Sequence, residues 1–356
     1  MSYYIDKGLD KIADKVFSSQ RITVKEALML YKKAPLGFLG MLADYVKNSK
    51  HGNKVYYIRN IHLEPSNICV YNCKFCSFSS KNSNSEWNYS ITDIKKQLKN
   101  PVYKGIDEIH ITGSCFAGNS LDYYSELIKT VKKTLPSVHI KAFSAVEIHY
   151  LSVKTGLSYK DILLKLKRVG LFALPGGGAE IFDNKIRNII CPDKVKSEQW
   201  LDIHRTAHKS NIASNATMLY GHIENFQQRV AHLELLRNLQ DETKGFMAFI
   251  PLKFRNKNNK MTGIKETTLT EDLINIAISR IFLDNFEHIK AYWPMFGKQA
   301  ASLTLEFGAD DFDGTINNST KIYSLAGAEE TNPGINENEI IDIITSAGKI
   351  PIRRFN

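Results

Sequence analysis

The stretch HLEPSNICVYNCKFCSFSS, residues 62–80, decides the fold of this chain. Within it, Cys69, Cys73 and Cys76 form a C-x3-C-x2-C motif, and the stretch directly follows a β-rich run over residues 57–63. In a parallel α/β barrel, the loops that follow the strands carry the active site. The position of the motif therefore predicts a ligand site at the mouth of such a barrel.

Three thiolates at this spacing suit a [4Fe-4S] cluster, because they bind three irons and leave the fourth iron open for a ligand. A structural zinc site would need four closed ligands, commonly two C-x2-C pairs, and the second pair is missing. Cys115 and Cys191 are isolated in the sequence and are predicted to be ordinary buried thiols. A zinc-stabilised binding module without catalysis remains the alternative from another class of protein.

The composition fits one large domain. The chain has 356 residues, of which 43% are hydrophobic and 10% aromatic, enough for a sizeable core. No apolar signal segment and no run of eighteen apolar residues is visible, so we expect a cytoplasmic protein with no membrane partner. The net charge of +10 suits an acidic partner. Because the lysines are scattered, no nucleic-acid partner is expected.

Short β-rich runs alternate with helical patterns, which predicts an α/β fold of the (β/α)8 TIM-barrel type. The eight predicted strands are residues 57–63, 108–112, 139–143, 172–174, 213–219, 247–250, 289–293 and, weakly, 303–307. The predicted helices between them are residues 91–98, 121–134, 159–169, 198–209, 226–240 and 271–284.

The sequence also indicates how the chain is organised. We expect an N-terminal helical extension over residues 1–54, the barrel over 55–330, and a C-terminal helix and tail over 331–356. Thr23 with Glu26, and Thr268 with Glu271, form capping-box patterns at helix starts. The polar segment 253–263 follows a strand and is therefore expected at the catalytic rim.

Several further segments carry a family resemblance: IKAFSAVEI (140–148), LPGGGAEIFD (174–183), IHRTAHKSNIASNATMLYGHIE (203–224), LRNLQDETKGFMAFIPLKFRN (236–256) and FDGTINNSTKIYSLAGAEE (312–330). Together with the cysteine motif they resemble the aminofutalosine synthase family, within the radical S-adenosylmethionine superfamily. The resemblance spans roughly residues 55–330. Related families are the cyclic dehypoxanthinyl futalosine synthases and the FO synthases. The segment FIPLKFRNKNN favours the first family, since the cyclic relatives usually have tryptophan where this chain has Leu252.

The resemblance implies a [4Fe-4S] cluster and S-adenosylmethionine as a co-substrate. The implied reaction adds the 5'-deoxyadenosyl group to 3-[(1-carboxyvinyl)oxy]benzoate and yields 6-amino-6-deoxyfutalosine, methionine and bicarbonate, a step of menaquinone biosynthesis by the futalosine pathway. Flavodoxin or ferredoxin is implied as the electron donor. The alternative within the superfamily, cyclic dehypoxanthinyl futalosine synthase, abstracts hydrogen and closes a spiro ring.

The resemblance also assigns residues to the cofactor. Glu147, read as the end of a strand, is expected to hold the ribose hydroxyls, with a rim salt bridge as the alternative. Ser114 stands where the superfamily usually has the second of two glycines that meet the methionyl amine. Arg205 is expected to meet the methionyl carboxylate or Glu180, with a solvated helix face as the alternative. The cofactor-binding candidates are Phe75, Gly113, Ser114, Ser144, Glu147, Glu180 and Arg205.

Residues at other predicted strand ends are assigned to the substrate. Asn215 and Arg255 suit hydrogen bonds to a dicarboxylate. His62 and His222 are expected near the barrel mouth, although a satisfied core histidine is equally consistent with the sequence. The glycines allow close approach of a ligand, although a plain turn explains them equally well. The substrate-binding candidates are His62, Gly176, Gly177, Asn215, His222 and Arg255.

Overall fold

The structure is a computed structural model that describes residues 7–80, 83–316, 321–328 and 334–354. Its sheet contains ten strands, and all of their pairings are parallel. The strands are β1 (Lys54–Tyr57), β2 (Asn60–Leu63), β3 (Glu108–Ile111), β4 (His139–Ala142), β5 (Leu171–Leu174), β6 (Ala213–Tyr220), β7 (Phe246–Lys253), β8 (His288–Ala291), β9 (Asp311–Phe312) and β10 (Ile350–Arg353).

The sheet runs in the order β10-β1-β9-β8-β7-β6-β5-β4-β3-β2. Beyond β9, Thr315 forms a parallel bridge with Asn60 of β2. The amide of Asn60 donates to the carbonyl of Gly314 at 3.0 Å, and the amide of Ile316 donates to the carbonyl of Asn60 at 2.9 Å. This contact joins the two ends of the series β2 to β9. Eight strands therefore form the ring that the sequence predicted.

Helices surround the sheet. They are α1 (Lys7–Phe17), α2 (Val24–Lys33), α3 (Leu36–His51), α4 (Ile91–Gln97), α5 (Leu121–Thr134), α6 (Ala145–Thr155), α7 (Tyr159–Arg168), α8 (Asn184–Ile190), α9 (Ser197–Lys209), α10 (Phe226–Thr243), α11 (Leu269–Phe282), α12 (Trp293–Phe296), α13 (Lys298–Thr304), α14 (Lys321–Leu325) and α15 (Glu337–Ser346). The six predicted helices are confirmed as α4, α5, α7, α9, α10 and α11. Within the described residues, no helix combines the length and hydropathy needed to cross a bilayer.

Successive residues of each strand point to opposite faces of the sheet, and the two faces carry different side chains. Ile109 and Ile140 are fully buried, whereas Glu108, Lys141 and Lys290 occupy the alternate positions of β3, β4 and β8. The buried ammonium of Lys141 donates to Glu108 at 2.9 Å, and that of Lys290 donates to Asp311 at 3.1 Å. Paired charges thus occupy the alternate face of the strands, on which the cavity-lining His62 and His110 also lie.

The N-terminal helices lie against the side of the barrel, where α3 packs on α11 and α2 packs on α10. His51, at the end of α3, and His288, at the start of β8, both contact the same oxygen of Asp310, at 3.1 and 2.6 Å. Arg280 bonds the other oxygen of this fully buried carboxylate. Asp310 therefore ties the helical extension to the barrel through a satisfied hydrogen-bond network.

Two local predictions are wrong. Residues 303–307 are helical, as the end of α13 and a 3-10 turn, and β9 lies later, at residues 311–312. The predicted first strand, 57–63, is split between β1 and β2, with only Tyr57 in β1.

The capping box of Thr23 and Glu26 is confirmed. Thr268 caps α11, but Glu271 bonds Arg229 at 2.7 Å. The extended C-terminal tail is confirmed as β10.

Candidate functional site

A cavity of about 290 Å³ opens where the loops leave the carboxyl ends of the strands. Fourteen of the sixteen predicted site residues line this cavity. They are His62, Cys69, Cys73, Phe75, Cys76, Gly113, Ser114, Ser144, Glu147, Gly176, Gly177, Glu180, Asn215 and Arg255. The barrel brings them together from the loops and strand ends of β2 to β7.

The cysteine loop follows β2 and is braced by the loop after β3. The hydroxyl of Ser114 donates to the carbonyls of Ser66 and Ile68, at 3.0 and 2.6 Å. The amide of Val70 donates to the carbonyl of Cys115 at 3.0 Å. Ser114, which replaces the usual glycine, therefore holds the beginning of the cysteine loop in place.

The spacing of the three thiols tests which metal group they fit. A single zinc ion with Zn–S bonds near 2.3 Å would hold its sulfurs about 3.8 Å apart. Among the described residues, the group whose potential ligand atoms all lie within 4.8 Å of one another is His51, His288 and Asp310, so at least one pair of the three cysteine sulfurs lies further apart than 4.8 Å. The wider spacing and the three-thiol donor set fit a [4Fe-4S] cluster.

Cys115 contacts this site, which its isolated position in the sequence did not indicate. A hydrogen bond with the Cys115 side chain lowers the pKa of the Cys69 thiol to about 6, against the effect of burial. Burial raises the pKa of the Cys73 thiol to about 12. The amide of Ser79 donates to the sulfur of Cys76 at 3.4 Å. Such hydrogen bonds to sulfur tune the potential of a bound cluster.

Lys194 is a cavity residue that the sequence analysis missed. Its ammonium lies 2.6 Å from a carboxylate oxygen of Glu180 and 5.3 Å from the centroid of the Phe75 ring. Burial lowers the pKa of Lys194, but the Glu180 carboxylate and the Cys73 thiol raise it more, so the net shift is upward. Lys194 therefore supplies a fixed positive charge beside the cysteine loop and forms the pairing with Glu180 that the sequence had offered as one possibility for Arg205.

Glu147 lies in the cavity, but the prediction that it ends a strand is wrong. β4 stops at Ala142, Phe143 turns the chain with a positive φ of 61°, and Ser144 caps helix α6. Glu147 is in the first turn of α6, where one carboxylate oxygen accepts from the amide and hydroxyl of Ser144 at 2.7 and 2.9 Å. Burial raises its pKa to about 7. A buried carboxylate with this pKa is a typical feature of a functional site.

The glycines after β5 serve packing as well as access. A Cβ on Gly176 would lie 2.7 Å from the side chain of Thr217 and 2.8 Å from the carbonyl oxygen of Asn215, so only glycine fits against β6. A Cβ on Gly177 would meet only Ser144, at an ordinary 3.7 Å. Packing therefore does not require glycine at position 177, and the missing side chain of Gly177 leaves space at the cavity wall.

The remaining wall combines apolar surface with a few polar groups. Ile250, Leu252 and Tyr292 line the cavity. Arg255 is buried and donates to a carboxylate oxygen of Glu266 at 2.7 Å. Burial lowers the pKa of His62, another lining residue, to about 4, so this ring is neutral at pH 7. The cavity therefore suits a largely apolar molecule with acidic groups.

Two predicted site residues do not line the cavity. Arg205 lies on the outer face of α9, where its guanidinium binds Glu242 at 2.9 Å and Asp202 lies at 3.8 Å. His222 is fully buried, with its ring 3.1 Å from a carboxylate oxygen of Glu224. Arg205 thus lies on a solvated helix face and His222 has the environment of a core histidine, which are the alternatives that the sequence left open.

Comparison with known proteins agrees with this geometry. Residues 63–236 match the family model of the radical SAM superfamily, and residues 243–356 match that of the CofH/MqnC C-terminal region. The fold resembles the crystal structure of methylornithine synthase, with a TM-score of 0.76 and 17% identity over 96% of this chain and 97% of that one.

Curated relatives are closer in sequence. The aminodeoxyfutalosine synthase of Thermus thermophilus is 41% identical over 98% of this chain and 95% of its own length. The cyclic dehypoxanthine futalosine synthase of Streptomyces coelicolor is 35% identical over 97% of this chain and 87% of its own. The zinc-module alternative is thereby excluded. The chain is an enzyme of the radical SAM superfamily, in the group to which the aminodeoxyfutalosine synthases belong.

Proposed function

We propose that this enzyme is an aminofutalosine synthase. In this reaction, the 5'-deoxyadenosyl group of S-adenosylmethionine is added to 3-[(1-carboxyvinyl)oxy]benzoate, water is consumed, and 6-amino-6-deoxyfutalosine, methionine, bicarbonate and a proton are formed. The observation that carries the proposal is 41% identity to the Thermus thermophilus enzyme across nearly the whole of both chains. The cysteine loop and the mainly apolar cavity beside it support the same assignment.

In the proposed site, Cys69, Cys73 and Cys76 would hold the [4Fe-4S] cluster. When bound, the cluster would supply the electron that cleaves S-adenosylmethionine to its 5'-deoxyadenosyl radical. Glu147 accepts hydrogen bonds in its ionised form, which suits the ribose hydroxyls. Lys194 offers a positive charge that suits the methionyl carboxylate.

On the substrate side, Arg255 and Asn215 would orient the acidic groups of the enol-ether benzoate. Both side chains are 4% exposed, so hydrogen bonds that they form with a ligand are shielded from water. The apolar wall that includes Ile250 and Leu252 would exclude water and stray hydrogen donors from a radical. Orientation of the vinyl carbon within this wall is the catalytic contribution of the protein.

The experiment that tests the proposal is a product assay on anaerobically reconstituted enzyme. The enzyme is given S-adenosylmethionine with either the enol-ether benzoate or dehypoxanthine futalosine. We expect turnover of the first substrate, with the adenosyl carbon retained in the product and little free 5'-deoxyadenosine. Turnover of dehypoxanthine futalosine alone, with one 5'-deoxyadenosine per product, would assign the chain to the cyclic synthases instead.

A further inference from the structure

Three exposed lysines border the cysteine loop. We call Lys74, Lys257 and Lys260 the basic rim. The amide of Lys260 donates to the carbonyl of Lys74 at 2.7 Å, and its ammonium donates to the side-chain oxygen of Asn72 at 2.7 Å. The hydroxyl of Ser77 donates to the carbonyl of Lys257 at 2.7 Å. The loop after β7 is therefore fastened to the cysteine loop at Asn72, Lys74 and Ser77, and its lysines stay at the surface.

The charge of the basic rim is not neutralised within the described part of the chain. The nearby carboxylates are already engaged, because Glu180 pairs with Lys194 and Glu266 pairs with Arg255. No rim ammonium comes within 4.0 Å of a described carboxylate, whereas lysines elsewhere do, for example at 2.7 Å between Lys165 and Asp122. Within the described residues, three positive charges without a carboxylate partner therefore lie beside the cysteine loop.

We propose that the basic rim is the docking face for an acidic electron-carrier protein that reduces the cluster. The proposal rests on the cluster assignment that also underlies the proposed function. One electron passes from the reduced carrier to the cluster, so that the carrier is oxidised by one electron, the cluster is reduced by one, and no covalent bond changes. Complementary charge steers such encounters and raises their rate.

Two further observations fit a protein partner at this face. Lys74 lies directly between Cys73 and Phe75 in the sequence, so a carrier bound to the rim would be separated from the ligands only by the loop itself. Val70, in the same loop, is 47% exposed and offers apolar contact surface. Apolar residues beside a charged rim are typical of protein interfaces.

The test follows reduction of the cluster-loaded enzyme by reduced flavodoxin in an anaerobic stopped-flow instrument, read as bleaching of the visible absorption. The rim variant is Lys74→Glu, Lys257→Glu and Lys260→Glu together. Its matched control is Lys95→Glu, Lys96→Glu and Lys99→Glu, three exposed lysines of or next to α4 with the same change of charge. At low salt we expect the rim variant to be slowed about tenfold or more and the control less than about twofold.

Sodium dithionite, a small reductant, serves as the internal control, because its rate should depend little on the rim. Equal slowing of both triple variants, or of neither, would overturn the proposal. The proposal would also be overturned if an oligonucleotide bound the wild type but not the rim variant while reduction of the cluster by the carrier stayed unchanged. If the triple variant fails to assemble a cluster, the single variant Lys257→Glu changes no residue of the cysteine loop and no side chain that bonds it, and it should still slow reduction by the carrier at low salt. Product identity under dithionite tests the proposed function separately.

Discussion

Replacing Glu147 by Gln should stabilise the protein at pH 8 and weaken its affinity for S-adenosylmethionine. The carboxyl group is 4% exposed, and its pKa is raised by burial from 4.5 to about 7 although it accepts two hydrogen bonds from Ser144. The ionised form is therefore unfavourable in the empty protein. Gln keeps the capping box, because the third helical position accepts either residue, and it removes the charge.

The sign and size of the stability effect follow from linkage. Between pH 4.5 and about 7, the unfolded state binds fewer protons than the folded state, so stability falls as pH rises through this window. Above pH 7 the loss levels off at about 3 kcal/mol, from a shift of some 2.5 units. Glu147→Gln should recover roughly this amount at pH 8 and much less at pH 5. Binding should lose a charge-assisted hydrogen bond, about 1.5 to 3 kcal/mol.

Urea unfolding of the apoprotein at pH 5 and pH 8 measures the first effect, and calorimetric titration of the cluster-loaded protein with S-adenosylmethionine measures the second. Glu126→Gln, on the exposed face of α5, is the matched control and should change stability by less than about 0.5 kcal/mol. If Glu147→Gln binds S-adenosylmethionine with wild-type affinity, Glu147 acts only as a helix cap. A loss of stability at pH 8 would refute the argument from burial.

Three other substitutions test the metal site, its brace and the barrel. Cys73→Ala should abolish the visible absorption and the roughly four irons of the reconstituted protein; stoichiometric zinc without iron uptake in the wild type would contradict the cluster. Ser114→Ala should destabilise the fold by about 1 to 3 kcal/mol, because two carbonyls lose their donor. The variant should also lose its cluster faster. A Ser114→Ala protein as stable as wild type would refute the bracing role. Asp310→Asn should destabilise the protein by about 3 to 5 kcal/mol in urea unfolding, because Arg280 is left buried without its counter-charge. An effect no larger than that of Asp202→Asn on the surface would refute the role of Asp310 in joining the N-terminal helices to the barrel.

Strands β2 to β8 were predictable because buried parallel strands appear in the sequence as short β-rich runs between helical patterns. The error at residues 303–307 has the same origin. In that segment, Leu303, Leu305 and Phe307 alternate with polar residues, which indicates a strand. The chain instead ends α13 at Thr304 and continues as a 3-10 turn to Phe307, before Gly308 at a φ of 94°. Tertiary packing thus overrode a local period of two.

Helix α6 shows a signal that was present and misread. The segment IKAFSAVE was read as one strand, yet Ser144 and Glu147 have the spacing of a capping box. Lys194 had no such signal. It reaches the cavity from the loop after α8, and nothing local indicates its pairing with Glu180, which lies fourteen residues earlier. For Arg205 the sequence leaves open a contact with the methionyl carboxylate, a pairing with Glu180 or a solvated helix face, because charge alone does not tell which face of α9 points outward.

The predicted residues that line the cavity share one property, which is that they lie in strands, in the loops that follow them or in the first turn of the next helix. Barrel topology fixes where the strands end, so a polar residue at that point reaches the cavity whatever its neighbours are. The backbone shows what this arrangement costs. Phe143 and Glu180 both have positive φ, at 61° and 47°, a conformation that costs such side chains about 1 to 3 kcal/mol each. Glu180 lines the cavity and Phe143 directly precedes the lining residue Ser144, and Glu147 in the same cavity is also held at an unfavourable pKa. Features that weaken the fold therefore lie around the cavity, which is where selection for a ligand would retain them.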